Sequence, residues 1–204
     1  MKKMIFFSLI VSLAGSGIVA FKADKKHTDL YNVDIRQSSL QWYGRKVTGE
    51  HKGTIMLSGG QIKNDHGNLA GTFEIDMNTI ENTDQTGEPK ANLENHLKSD
   101  AFFGVAKFPK STFVLSSVTP VKEPKSAELT HSVKGNLTIK DKTNEITFDV
   151  AVKMESNKMT FIGEVVVDRA KFDVRYGSKS FFPDIGDKMI YDEFTMKLNV
   201  VAFK

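Results

Sequence analysis

Residues 127–155 read AELTHSVKGNLTIKDKTNEITFDVAVKME, and their alternation decides the fold. From Ala127 to Ile139 the odd positions are Ala, Leu, His, Val, Gly, Leu and Ile, and the even ones are polar. Successive side chains of a strand point to opposite faces, so this is a long half-buried strand. The pattern returns from Glu145 to Glu155. Ile146, Phe148, Val150, Val152 and Met154 share one face, and Glu145, Thr147, Asp149, Lys153 and Glu155 the other. Asp141 to Asn144 is a short polar turn between them, so the two strands form an antiparallel hairpin.

The same period extends in both directions. A third strand follows Ser156-Asn157-Lys158, with Met159, Phe161, Gly163, Val165 and Val167 on one face. A last strand is expected from Met189 to Phe203. Upstream, Tyr31, Val33 and Ile35 open a strand that continues through Leu40 and Trp42. Val47, Gly49, His51, Gly53, Ile55 and Leu57 then alternate with polar residues. Gly59-Gly60 and Asn64 to Asn68 are read as turns. Leu69 to Ile75 and the neighbourhood of Phe113 and Leu115 give two more strands.

These make about eight long strands with one apolar face each. Such a sheet removes its edges by closing. The expected fold is therefore all-β: an eight-stranded antiparallel up-and-down barrel, with a sandwich as the alternative. Two segments break the pattern. Residues 77–110 contain a short helix over Ala91 to Ser99, with Leu93 and Leu97 on one face. Residues 168–188 carry Phe172, Tyr176, Phe181 and Phe182 among charges. Loops of this length in a compact domain are usually lids or binding loops.

Composition narrows the function. The 204 residues suit a single domain. Removing Lys2 and Lys3 from the 28 basic residues leaves 26 against 25 acidic ones, so no nucleic-acid partner is implied. The chain has no Cys, which excludes disulfides, zinc–cysteine sites, Fe–S clusters and a thiol nucleophile. The 15 Phe against 4 Tyr and 1 Trp need no hydrogen-bond partners inside. Patterning alone leaves open whether they fill the barrel or line a void. The standard hydrolase, nucleotide and zincin motifs are missing, so the chain is read as a binder and not an enzyme, with no cofactor.

Met1-Lys2-Lys3 followed by an uncharged run from Met4 to Ala20 reads as a signal peptide, residues 1–20, cleaved after Ala20 or, less favoured, Ala23. An uncleaved anchor is the alternative, because the run is close to the shortest membrane span. The mature chain, 21–204, is expected to be periplasmic or secreted, without a stable span. A homodimer is left open.

Several motifs together resemble the YceI-like, lipocalin-like polyisoprenoid-binding family. They are Gly49-Glu50-His51-Lys52-Gly53; His96-Leu97-Lys98-Ser99-Asp100 running to Phe102-Phe103; Lys107-Phe108-Pro109 with Phe113; Gly135-Asn136-Leu137-Thr138-Ile139; and Asp168-Arg169 with Phe172 and Arg175-Tyr176-Gly177-Ser178. Asp141 departs from the pattern where the family often has Gly. The resemblance implies an exported barrel enclosing an isoprenoid or related long-chain amphiphile.

The candidate ligand-binding residues are Trp42, His51, Phe73, Phe102, Phe103, Phe108, Phe113, Phe148, Phe161, Arg169, Phe172, Tyr176 and Phe182. Each buried methylene contributes about 0.8 kcal/mol. A chain of roughly 20 carbons grosses on the order of 15 kcal/mol, against association costs of about 4–15. Arg169 continues the inward parity of Val165 and Val167 and needs an anionic partner: Asp100, Asp168, Asp173 or a ligand head group. His51 is equally a satisfied interior histidine or a ligand contact. His96 and Asp100, with Glu94 nearby, are a weak metal signal. The favoured reading is a local hydrogen-bonded cap that docks Phe102 and Phe103. A barrel with a filled core and a lipid hydrolase are the competing functions.

Overall fold

The computed structural model describes residues 28–123 and 128–204. The predicted leader and Ala127 lie outside the described residues. Nine strand segments form one antiparallel sheet: β1 (Thr28–Val33), β2 (Ser39–Lys46), β3 (Gly49–Asp65), β4 (Asn68–Asn82), β5 (Lys110–Pro120), β6 (His131–Ile139), β7 (Lys142–Met154), β8 (Lys158–Asp168) and β9 (Glu193–Phe203). Among the described residues one α-helix, α1 (Gly87–Lys98), lies between β4 and β5.

The nine segments make eight staves. β1 pairs with the far end of β3 (Thr28 opposite Asp65), and β2 pairs with its near end (Leu40 opposite Ile55). Both also pair with β9. They are therefore one stave broken at Asp34–Ser38. The Asp34 carboxylate accepts the N–H groups of Arg36 and Gln37, an Asx-type turn, which throws Ile35 outward. The continuous strand predicted through Ile35 is thus interrupted, and Ile35 is 46% exposed. From there the staves run up and down in chain order, and β9 closes on β1 and β2. The expected eight-stranded barrel is present, and no sheet edge runs its length.

Four boundaries differ from the sequence reading. Gly59-Gly60 is not a turn but continues β3 just past a register shift between Leu57 and Gly59, and Gly60 lets Val33 approach; an added Cβ would stand 2.8 Å from the Val33 methyl. The turn is at Asp65–Asn68, with His66 and Gly67 both at positive φ as a two-residue hairpin of this twist requires. β4 runs on past Ile75 to Asn82, and α1 begins four residues before the predicted Ala91. β9 starts at Glu193 rather than Met189. The carbonyls of Ile190 and Tyr191 are taken by Arg169 and cannot continue the ladder.

One end of the barrel is packed shut. Ile62, Met159 and Ala202 have no exposed surface, and Tyr31 and Leu69 are nearly as buried. The other end receives the β2–β3 hairpin, the α1 segment, the β6–β7 hairpin and the long β8–β9 connection.

Candidate functional site

Inside the barrel is a cavity of about 620 Å³. Ligand pockets commonly occupy about 300–1,000 Å³. Its lining on β9 runs through alternate residues Phe194, Met196, Leu198 and Val200, and on β6 from Val133 to Ile139. Six residues at ~3.4 Å each, tilted by about 40°, give a depth of roughly 15 Å. Two inward glycines let aromatic rings lie flat on the wall. The Trp42 indole covers Gly53, and the Phe113 ring covers Gly135, where an added Cβ would stand 2.5 Å from Cζ. The space beside His51 left by Gly53 is thus filled by the chain itself.

Of the predicted residues, Trp42, His51, Phe73, Phe102, Phe103, Phe113, Phe148, Phe161, Arg169 and Tyr176 line the cavity. Phe73, Phe113 and Phe148 form a continuous aromatic band, with centroids 6.1 and 5.8 Å apart. The other three predicted residues, Phe108, Phe172 and Phe182, are not in the lining. Phe172 is buried behind the wall against Val167 and Val174, in the second of the barrel's two apolar clusters. Phe182 is half exposed on the β8–β9 connection. Phe108 packs by Gly104 in the turn after α1.

Arg169 is buried, but its donors are used within the protein. Nε donates to the Tyr191 carbonyl (3.2 Å), Nη1 to those of Val174 and Tyr176 (both 2.8 Å), and Nη2 to that of Ile190 (3.0 Å). The remaining edge faces the Asp192 carboxylate, 3.3 Å away. Its ion-pair partner is therefore Asp192, which was not among the candidates Asp100, Asp168, Asp173 and a ligand head group. Asp192 sits on the returning leg of a loop whose path the alternation does not encode. Burial lowers the guanidinium pKa from its ordinary value, and the Asp192 and Asp168 carboxylates oppose this. The Phe102 ring lies over the guanidinium at 5.3 Å.

The helix α1 closes part of the open end. Asn82, fully buried at the end of β4, donates its N–H to Glu94 (2.8 Å) and its side-chain amide to the Lys52 carbonyl (3.0 Å) and to Asp84. Lys90 ties the helix to Glu81 of β4 at 2.7 Å. His51 Nδ1 lies 3.0 Å from Asp84 Oδ2, so His51 has a partner within the protein while lining the cavity. Burial raises the Asp84 carboxyl, but the Lys52 N–H, His51 and Asn82 outweigh it and hold it below its ordinary range.

His96 lies between Phe102 and Tyr176, with ring centroids 5.6 and 4.3 Å away. Its Nε2 is buried without a hydrogen-bond partner, and burial lowers its pKa. Asp100 instead pairs with Lys107 at 3.4 Å. The predicted cap after the helix is present, but it is built by the main chain and by Ser99 Oγ, which donates to the His96 carbonyl at 2.7 Å. Among the described residues no group of three or more His, Asp or Glu could hold a metal.

Sequence reasoning missed the cationic rim. Arg45, Lys46 and Lys188 line the open end with one carboxylate, Asp187, and among the described residues none of the three cations forms an ion pair. The Arg45-Lys46 pair at a hairpin end was the available signal. Leu93, Ile190 and Tyr191 are further lining residues that the candidate set lacked.

A closed up-and-down barrel with one packed end, an apolar bore and looped lids at the other end defines the lipocalin-like class of binding barrels. The YceI-like domain matches residues 31–202, and the chain belongs to that family. It is 33% identical over 158 residues to a UPF0312 protein of Staphylococcus aureus (strain MRSA252), covering 72% of this chain and 82% of that one. Among solved structures it is similar to BcnA of Burkholderia cenocepacia, with a TM-score of 0.64, 22% identity and coverage of 83% and 98% of the two chains. It is also similar to a polyisoprenoid-binding domain from Saccharophagus degradans implicated in plant cell wall breakdown, with a TM-score of 0.58, 13% identity and coverage of 85% and 97%. Both structural likenesses concern the fold. Among the described residues no helix is long and apolar enough to cross a membrane.

Proposed function

We propose that this chain is an exported carrier that holds one long-chain isoprenoid or acyl lipid in its barrel, without transforming it. The observation that supports this best is the cavity of about 620 Å³, walled almost wholly by aliphatic and aromatic side chains and open at the loop end. A filled barrel would have no such bore. Apolar burial at about 0.8 kcal/mol per methylene binds a chain without any polar contact. It also discriminates poorly between chain types. The binding of a polyisoprenoid by the Saccharophagus domain favours an isoprenoid among the candidates. Export rests on the basic start and apolar run of Met1 to Ala20.

With the guanidinium of Arg169 engaged by four carbonyls and Asp192, a polar head is better met at the rim, by Arg45, Lys46 or Lys188. The test is organic extraction of gently purified protein followed by mass spectrometry. A lipid recovered at about one per chain supports the reading. Protein recovered folded and lipid-free, which also takes up no polyprenol or fatty acid on addition, would sink it.

A further inference from the structure

The connection between β8 and β9 carries apolar surface that the cavity does not use. Phe181 and Phe182 are adjacent, 36% and 50% exposed, and are followed by exposed Pro183. The turn does not need them. Its hydrogen bonds run from the Phe181 and Phe182 N–H groups to the Ser178 carbonyl and from the Ile185 N–H to the Phe182 carbonyl, which almost any residue could supply. The base of the connection is fixed. Ile190 N–H donates to the Gly177 carbonyl at 2.8 Å, Ser180 Oγ donates to Asp192 at 2.6 Å, and Arg169 joins both legs. The two rings are therefore presented on a held tip rather than on a loose strand of chain.

Several cations belong to this connection and the adjoining hairpin. The Arg175 guanidinium lies 5.1 Å from the Phe181 ring centroid. Lys179 and Lys188 are exposed and, like Arg45 and Lys46 on the adjoining hairpin, form no ion pair among the described residues. The opposing charges are Asp184 and Asp187 on the connection and Glu50, which stands in register opposite Arg45 on the hairpin, while Asp173 is paired to Arg175 at 2.6 Å. The same connection walls the cavity's open end through Tyr176, Lys188 and Tyr191.

We propose that this tip docks the barrel on an anionic phospholipid bilayer, with the cavity mouth toward the lipid. Exposed Phe rings gain by inserting at the boundary between headgroups and acyl chains, and unpaired Lys and Arg are attracted by anionic lipid. Two exposed Phe among cations, beside the entrance of an apolar bore, supply both terms at one place. A ligand insoluble in water then passes between bilayer and cavity without crossing solvent. This purpose rests on the carrier reading; the docking itself is measured separately.

The experiment uses residues 21–204, which contain all eight staves of the closed barrel and none of the apolar run 4–20. The protein is sedimented with vesicles of phosphatidylcholine, or of equal parts phosphatidylcholine and phosphatidylglycerol. Binding is expected to the mixed vesicles, and to weaken with added salt. The double variant Phe181→Ser, Phe182→Ser should bind about tenfold more weakly. Lys179→Glu should weaken binding by a smaller factor. Transfer of a pyrene-labelled fatty acid from these vesicles should slow in the double variant, while loading of the same probe from a cyclodextrin solution should not change.

Absence of sedimentation, or equal sedimentation of the double variant, overturns the proposal and leaves a protein surface as the occupant of the tip. Loss of loading from cyclodextrin in the unaltered protein counts instead against the carrier reading, and the sedimentation result still decides the docking.

Discussion

The Nε of Arg169, at the end of β8, donates to the carbonyl of Tyr191, two residues before β9 begins, at 3.2 Å. With the bonds to Val174, Tyr176 and Ile190, this one side chain holds together the two legs of the connection that roofs the cavity. Its role is that of a cross-link made of hydrogen bonds.

Arg169→Met should therefore act on the roof. Removing one partner of a buried, hydrogen-bonded ion pair commonly costs about 3–5 kcal/mol, because the groups left behind stay desolvated. A large fall in the urea midpoint is expected. Amide exchange should speed up first between Val174 and Tyr191, while β3 and β4 remain protected. Lipid bound per folded molecule should stay near that of the unaltered protein. If stability were unchanged and lipid occupancy lost, Arg169 would be a head-group ligand after all.

Gly53 and Trp42 form a second such pair. A Cβ on Gly53 would stand 2.5 Å from the indole Cζ2 and would strike the main-chain carbonyl of Glu81 on the neighbouring stave. A side chain can rotate away, but that carbonyl is fixed by the sheet. Gly53→Ala should cost about 1–3 kcal/mol or somewhat more, read as a lower melting temperature. The near-ultraviolet circular dichroism of the single Trp should change with it. Gly44→Ala is the control: nothing lies within 4 Å of its added Cβ, and it should melt close to the unaltered protein.

Most of the barrel was legible because alternation is a local property. Val133, Leu137, Val150 and Phe161 fell on the inner face wherever the strand ran unbroken. The reading failed where a single residue overrides the period. Asp34 breaks the first stave by accepting two N–H groups, and Gly59-Gly60, which look like a turn in the sequence, continue β3 past a register shift between Leu57 and Gly59. The aromatic wall was legible for the same reason, since Phe73, Phe113 and Phe148 belong to strands. Phe172 and Phe182 belong to a loop, and their direction depends on carbonyls gathered by Arg169 from residues 5 to 22 positions away. Asp192 was missed for that reason. So was Asn82, whose partners Lys52 on β3 and Glu94 on α1 are brought to it by strand pairing and helix packing that alternation does not encode.

The cavity itself can be filled. Leu198 lines the bore, and its register partner on the neighbouring stave β8 is Gly163. Leu198→Trp should place its extra ring in the void rather than in packed core, so the melting temperature should change little. Bound lipid, measured by extraction and mass spectrometry, should fall several-fold or shift to shorter chains. A variant that stays folded and keeps its full lipid content would move the ligand out of the barrel.

His96 gives the protein a pH response of predictable sign. Its Nε2 is buried without a partner between Phe102 and Tyr176, and burial lowers its pKa from the ordinary 6.5. The unfolded chain therefore binds a proton at a pH where the folded chain does not. In that window stability rises with pH. The contribution is complete above about 6.5, is lost as the pH falls from there toward the folded value, and is constant below it. Melting temperatures taken from pH 7.5 to 5 should decline over this window. His96→Phe keeps an aromatic ring in the gap but cannot titrate, so its decline should be shallower. Asp84 acts with the same sign lower on the scale: held below the carboxylate range, it adds stability that is lost as the pH falls through its folded value. Equal slopes for the unaltered protein and His96→Phe between pH 7 and 5.5 would show that the imidazole is solvated and that the contact between α1 and the β8–β9 connection opens in solution.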